Sequence, residues 1–428
     1  MTKSIVPSWR QYALVTGNYW AFTLTDGALR MLVVLHFHSL GYNALQIALM
    51  FIFYELFGVV TNLLGGYFGA RVGLNRTMNI GLGLQLIALS MLLVNPQLLT
   101  VAWVMAAQAI SGIAKDLNKM SAKSAIKLLA PTKKKESEQS SSLYRWVALL
   151  TGSKNTLKGV GFFLGGALLS SVGFTHSILI MLIGLGGVWS FSLLLLKADL
   201  GRSRNKPNIY QLLSKSSAIN RLSGARLCLF AARDVWFVVA LPVYLAQQLS
   251  WTYWQVSSFL ATWIIGYGLV QIMAPLLTRK AHAKNPSTER GLPLHSTLNL
   301  PRDSALKSAH KTAFKWQGAL AVIPIIMAYG LSIEWHLNAV LIIGLGIFGI
   351  VFAVNSSLHS YLIIALSTTD SVAMDVGFYY MANAAGRLLG TLLSGWVFLQ
   401  FGFIACLLLS SALVLSATYI THWMTRTA

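Results

Sequence analysis

Apolar stretches long enough to cross a bilayer recur along this chain of 428 residues, near 12–38, 44–70, 77–95, 98–123, 144–172, 175–196, 225–248, 254–278, 316–332, 338–366, 375–400 and 402–424. A segment crossing lipid must satisfy its own backbone, so each stretch of roughly 20 apolar residues reads as a helix. With 55% hydrophobic and 11% charged residues, the composition is unlike that of a soluble domain. The expectation is an all-α membrane protein of twelve transmembrane helices. Gly41-Tyr42-Asn43 and Ser250-Trp251-Thr252 mark two of the breaks.

Charge fixes how those helices would be threaded. The formal net charge is +21, and the surplus lies in alternate loops. The 71–76 connection carries Arg71 and Arg76. The 124–143 connection carries Lys127 and Lys133 to Lys135. The 197–226 and 279–315 connections carry runs from Lys197 to Arg226 and from Arg279 to Lys315. Loops on the other side lack Lys and Arg, so the positive-inside rule predicts an inner-membrane protein with both termini cytosolic. No soluble basic domain is present to suggest nucleic-acid binding. Cys228 and Cys406 suggest neither a disulfide framework nor a metal site. The N-terminus has the look of a cytosolic cap, not a cleaved leader.

The 197–224 linker divides the expected helices into an N-terminal half, 1–196, and a C-terminal half, 225–428. A second polar loop, 279–315, contains Pro286, Pro293 and Pro301 and is expected to be a mobile cytosolic segment. A weak repeat relates the halves. Asp26 followed by Gln46 parallels Asp234 followed by Gln255, and Gly161-x-x-x-Gly165 parallels Gly386-x-x-x-Gly390. Two parallel six-helix halves with a site between them are the layout of the major facilitator superfamily. The segment Gly66 to Arg76 resembles that superfamily's cytosolic gating loop, with Gly66, Arg71, Gly73 and Arg76 in place and Ala70 where an acid is usual.

Charged groups within spans cost a few kcal/mol each on insertion scales, so they point to a cavity or a partner. Asp26 and Arg30 lie one turn apart on the first helix and are expected to pair. Glu55 lies in the second helix and Arg233 beside Asp234 in the seventh. Lys154, Asn155 and Lys158 in the fifth helix, with Asn383 and Arg387 in the eleventh, are candidate anion ligands. For Lys154, Lys158 and Arg387 the sequence offers no local acid. Lys115, Lys119, Lys123 and Lys127 recur every fourth residue. Lys123 and Lys127 are expected to complement the helix dipole and meet the lipid surface, leaving Lys115 and Lys119 to line an inner vestibule. Tyr379, Tyr380, Trp254 and Tyr267 are cavity candidates. His36, His38 and His359 are equally well explained as relays or as structural groups. Asp26 and Glu55 are the candidates for proton coupling. No P-loop, metal cluster or nucleophile–base set appears, so no cofactor is implied.

Four blocks, 16–38, 58–83, 111–127 and 150–169, closely resemble the ArsJ-type organoarsenical efflux permeases of the major facilitator superfamily. The resemblance implies export of 1-arseno-3-phosphoglycerate, formed when a glyceraldehyde-3-phosphate dehydrogenase uses arsenate. It implies a functional partnership with that enzyme and assigns no individual transport residue. Two anionic ends call for two basic clusters: Lys154 and Lys158 with Arg30 for one, Arg233 and Arg387 for the other, with Asn155, Asn383 and Tyr379 as further substrate-binding candidates. Rival readings are an importer or exchanger of phosphorylated metabolites, an exporter of lipophilic cations, and a membrane-embedded phosphoryl-processing enzyme.

Overall fold

The computed structural model describes residues 8–42, 50–129, 136–196, 200, 216–251, 253–279, 300–368 and 370–427. Among these the chain forms helices and no strand. In chain order they are α1 Ser8–Ser39, α2 Ile52–Val72, α3 Leu74–Met91, α4 Val101–Leu129, α5 Glu136–Leu195, α6 Ser217–Phe237, α7 Ala240–Gln248, α8 Tyr253–Arg279, α9 Leu300–Ser332, α10 Leu337–Leu366 and α11 Val372–Thr427. Gln46, Thr252, Lys133 to Lys135 and the basic residues between 201 and 215 lie outside the described residues, as do those between 280 and 299.

Two helices are twice the length of a span. α5 and α11 each contain one residue of non-helical backbone, Gly173 at φ 77°, ψ 177° and Gly402 at φ 76°, ψ −176°. Both angles lie where only glycine is comfortable, so each helix is two rods joined at a single residue. Counting those rods, and taking α6 with α7 as one broken span, gives the twelve helices that the apolar stretches predict. The α6–α7 break is met by Ser394, whose hydroxyl accepts the Ala240 amide at 3.1 Å.

By length and composition alone, six helices among the described residues are apolar enough to cross a membrane, beginning with Ser142–Leu195 and ending with Val372–Trp423. α1 to α4 are not among them. The physical reason is plain in α4, whose Lys115, Asp116, Asn118, Lys119 and Lys123 are all buried, so its polarity faces inward. The expected mobile loop 279–315 also needs correction, because α9 begins at Leu300. Pro301 sits in its first turn, where the missing N–H has no intrahelical partner to lose.

The chain divides into two compact units. The first comprises Met1–Leu129, Ser153–Lys215 and Ser367–Ala384, and the second Ala130–Gly152, Ser216–Leu366 and Ala385–Ala428. In the first, Asn18 donates to Ser192 at 2.8 Å and Ser192 to Asn79 at 2.5 Å, tying α1, α3 and α5. The second is centred on rings. Trp236 meets Phe348 edge-on at 5.0 Å, and Trp263 stacks on Tyr267 at 5.7 Å.

Small residues set the closest helix approaches. In the first unit a Cβ on Gly161 would lie 2.6 Å from the Leu24 carbonyl oxygen and one on Gly66 2.7 Å from that of Ala373. In the second unit Gly390 comes against Ala231 in the same way, at 2.7 Å, and Gly386 abuts Leu227. The repeated Gly-x-x-x-Gly pairs thus do one job twice, bringing α5 onto α1 and α11 onto α6.

Candidate functional site

In the first unit four helices converge on a chain of buried and half-buried charges. Asp26 of α1 lies 3.8 Å from Lys158 of α5 and accepts the Tyr54 hydroxyl at 2.6 Å. Glu55, the next residue of α2, takes Arg30 at 3.2 Å and Lys115 at 3.9 Å. Lys115 also reaches Asp116 at 3.8 Å, and Lys119 holds Asp116 at 2.5 Å. Close helix packing makes this possible, since Gly112 of α4 lies against the Tyr54 backbone.

Aromatic faces support the same cations. Lys115 stands 3.7 Å over the Tyr54 ring, with Arg30 4.9 Å from it and 5.0 Å from Phe51. Lys119 and Lys123 lie 4.9 Å and 5.1 Å from the ring of Tyr380, at the start of α11. Such contacts are worth from about 0.5 kcal/mol where water reaches the cation to about 2 kcal/mol where it is excluded.

Three expectations are corrected here. Asp26 and Arg30 go to different helices, Asp26 to Lys158 and Tyr54, Arg30 to Glu55. Lys158 has an acid beside it after all. Lys123 is 4% exposed and sits on Tyr380, not at the lipid surface. Lys154 and Asn155 are half-buried on the same helix face region as Lys158.

The second unit holds a smaller cluster. Asp234 of α6 is fully buried and receives the Arg233 Nε at 2.6 Å and the Arg387 Nε at 3.3 Å. Arg387 is therefore also corrected, its acid coming from a helix 153 positions away. Arg233 is boxed by the rings of Phe230, Phe352 and Phe237 at 4.8, 5.5 and 5.9 Å. Deeper in this unit Gln317 donates its amide to His359 at 2.7 Å, and Arg226 donates to the Ser356 carbonyl at 3.2 Å.

Tyr379 and Asn383 are buried in the first unit, Tyr379 packed edge-on against Tyr380 at 5.0 Å. Of the two tyrosines it is Tyr380 that meets the lysines. His36 stacks on Phe174 at 4.1 Å, a structural contact. Gly73 adopts φ 104° between α2 and α3, and its amide caps Gly69. Arg71 donates to the Tyr67 hydroxyl at 2.9 Å, Arg76 is exposed, and Ala70 is buried, where an acid would need a partner. Sequence reasoning undervalued Tyr54, Asp116 and Asp234. Their signal was the scarcity of acids, 12 in all, so that any acid within a span had a cation to hold.

The profile of the Major Facilitator Superfamily matches residues 15–292. The chain belongs to that superfamily. Solved major facilitators align along its length. The human organic anion transporter MFSD10 (TETRAN) superposes with TM-score 0.71 at 17% identity, over 97% of this chain and 100% of that one. The E. coli fucose:proton symporter FucP gives 0.70 at 12%, over 98% and 99%. A bacterial homologue of the iron transporter ferroportin gives 0.70 at 13%, over 96% and 99%. At such identities the likeness carries the fold. Comparison with curated proteins finds no match. As a major facilitator the protein is a multi-pass membrane transporter working by alternating access.

Proposed function

We propose that this major facilitator exports an organic polyanion, 1-arseno-3-phosphoglycerate, across the inner membrane and so confers resistance to arsenate, with both termini cytosolic. The observation that carries the reading is the excess of cations over acids in two clusters of buried and half-buried ion pairs. In the first unit Arg30, Lys115, Lys119 and Lys158 are joined to Asp26, Glu55 and Asp116, four cations to three acids. In the second, two arginines share one aspartate. Cations within spans are costly, and their excess in these clusters is best explained by an anion that arrives to complete them. A sugar or a lipophilic cation would leave that surplus unmet.

The resemblance to organoarsenical permeases supplies the identity of the anion, and the description of MFSD10 as an organic anion transporter fits the chemical class. An interior-negative potential favours expelling an anion by about 2.3 kcal/mol per charge per 100 mV. Export then needs no coupling ion, and Asp26 and Glu55 are the candidates if a proton is used.

The test is arsenate tolerance of cells carrying this protein with and without a partner glyceraldehyde-3-phosphate dehydrogenase. Protection is expected only when both are present. Protection without the enzyme would sink the adduct as substrate. Vesicles moving 3-phosphoglycerate as fast as the adduct would favour a general carrier of phosphorylated metabolites instead.

A further inference from the structure

Asp234 organises the cations of the second unit from behind. Its side chain is 1% exposed, against 15% for Arg233 and 30% for Arg387. Both arginines meet it along the stem-side edge of the guanidinium. Arg233 uses Nε at 2.6 Å and Nη2 at 2.5 Å on Oδ1, and Arg387 uses Nε at 3.3 Å on Oδ2. The terminal Nη1–Nη2 edge, which meets an oxyanion two oxygens at a time, is not the edge spent on this carboxylate. Three phenyl rings hold Arg233 in its plane. Close packing of Gly390 on α6, with its Cβ direction 2.9 Å from the Asp234 Cβ, fixes where Arg387 projects.

Two guanidinium groups repel each other, and the shared carboxylate offsets that repulsion. We propose that Asp234 is a positioning residue that sets Arg233 and Arg387 side by side as one fork for a single tetrahedral dianion, the phosphoryl or arsenate end of the substrate. The inference rests on the reading of the protein as a carrier of a phosphorylated anion and names which group is read where. Two planar guanidinium edges can donate to three oxygens of a tetrahedral head, one more than a carboxylate offers. The first unit repeats the construction without the fork. There Gly161 of α5, packed against α1, brings Lys158 up to Asp26, and an ammonium is a point charge with no planar edge.

The experiment measures equilibrium binding of 3-phosphoglycerate and of glycerate, the same acid without its phosphoryl group, to the purified full-length protein in detergent. The wild type is expected to prefer 3-phosphoglycerate by at least about tenfold, the scale of one charge-assisted contact. Asp234→Asn should bind 3-phosphoglycerate about tenfold more weakly with little change for glycerate, and Asp234→Glu should recover part of the preference. Arg387→Lys keeps the charge but lacks the planar edge, and should lose the preference too. A wild-type preference retained in Asp234→Asn or in Arg387→Lys overturns the fork while leaving the transporter's function standing. A wild type that does not distinguish the two acids overturns the phosphorylated-anion reading, and the fork with it.

Discussion

Tyr54 donates its hydroxyl to Asp26 across 2.6 Å while its ring lies under the ammonium group of Lys115 at 3.7 Å. One side chain thus serves an acid with its edge and a base with its face. Replacing it by Phe keeps the ring and removes the donor. The expected loss is about 1.5–3 kcal/mol, the cost of taking a hydrogen bond from a buried carboxylate. Tyr54→Leu should cost about 1–2 kcal/mol more, as Lys115 and Arg30 lose the ring. Thermal unfolding in detergent checks both, and a Phe variant as stable as wild type would contradict the geometry.

Lys158 and Asp26 form a testable pair at 3.8 Å. Lys158→Gln removes the cation facing Asp26 and Asp26→Asn the carboxylate facing Lys158, so each alone should destabilise. The double variant should be better off than the sum predicts by on the order of 1–2 kcal/mol, because it leaves neither charge without the other. Strict additivity across the three variants would mean that the two groups do not interact.

Gly66 and Gly377 meet where α2 crosses the first turns of α11. A Cβ on Gly377 would stand 2.7 Å from the Asn62 carbonyl oxygen, and backbone cannot move aside cheaply. Gly66→Val and Gly377→Val should lower the melting temperature and abolish transport. Gly17→Ala, with nothing within 4 Å of its Cβ, should leave both near wild type. Equal tolerance at the three positions would refute the crossing.

Gly173 and Gly402 face a different penalty, since no atom lies within 4 Å of either Cβ and only the positive φ resists a side chain. Alanine at either site should cost about 1–2 kcal/mol from backbone strain. Gly184→Ala, equally uncrowded and helical, should be neutral or slightly stabilising. The three melting curves separate strain from packing.

The spans, the glycine pairs and the turn at Gly73 were legible because each is written in consecutive residues. Partners were not. Arg30 was paired with Asp26 because they share a helix face, yet Glu55 on α2 takes it. Lys123 was assigned to the lipid surface because cations at helix ends usually go there. Nothing near it in sequence announces Tyr380, 257 positions on. Lys158 and Arg387 looked acid-free for the same reason. In a chain so short of acids, each carboxylate is shared among helices, and a sharing rule has no local signature. The repeat did carry that information in part, since 208 residues separate Asp26 from Asp234 and also His36 from Tyr244. His36 stacks on Phe174 and Tyr244 on Phe403, each the residue after a hairpin glycine.

Those two hairpins have a practical consequence. Where α5 and α11 turn back on one glycine, the chain exposes almost no extended backbone, and an extended strand of several residues is what a protease or an antibody needs to grip. Surface labelling and limited digestion should therefore pass over both turns. An epitope tag inserted at either would have to make its own loop.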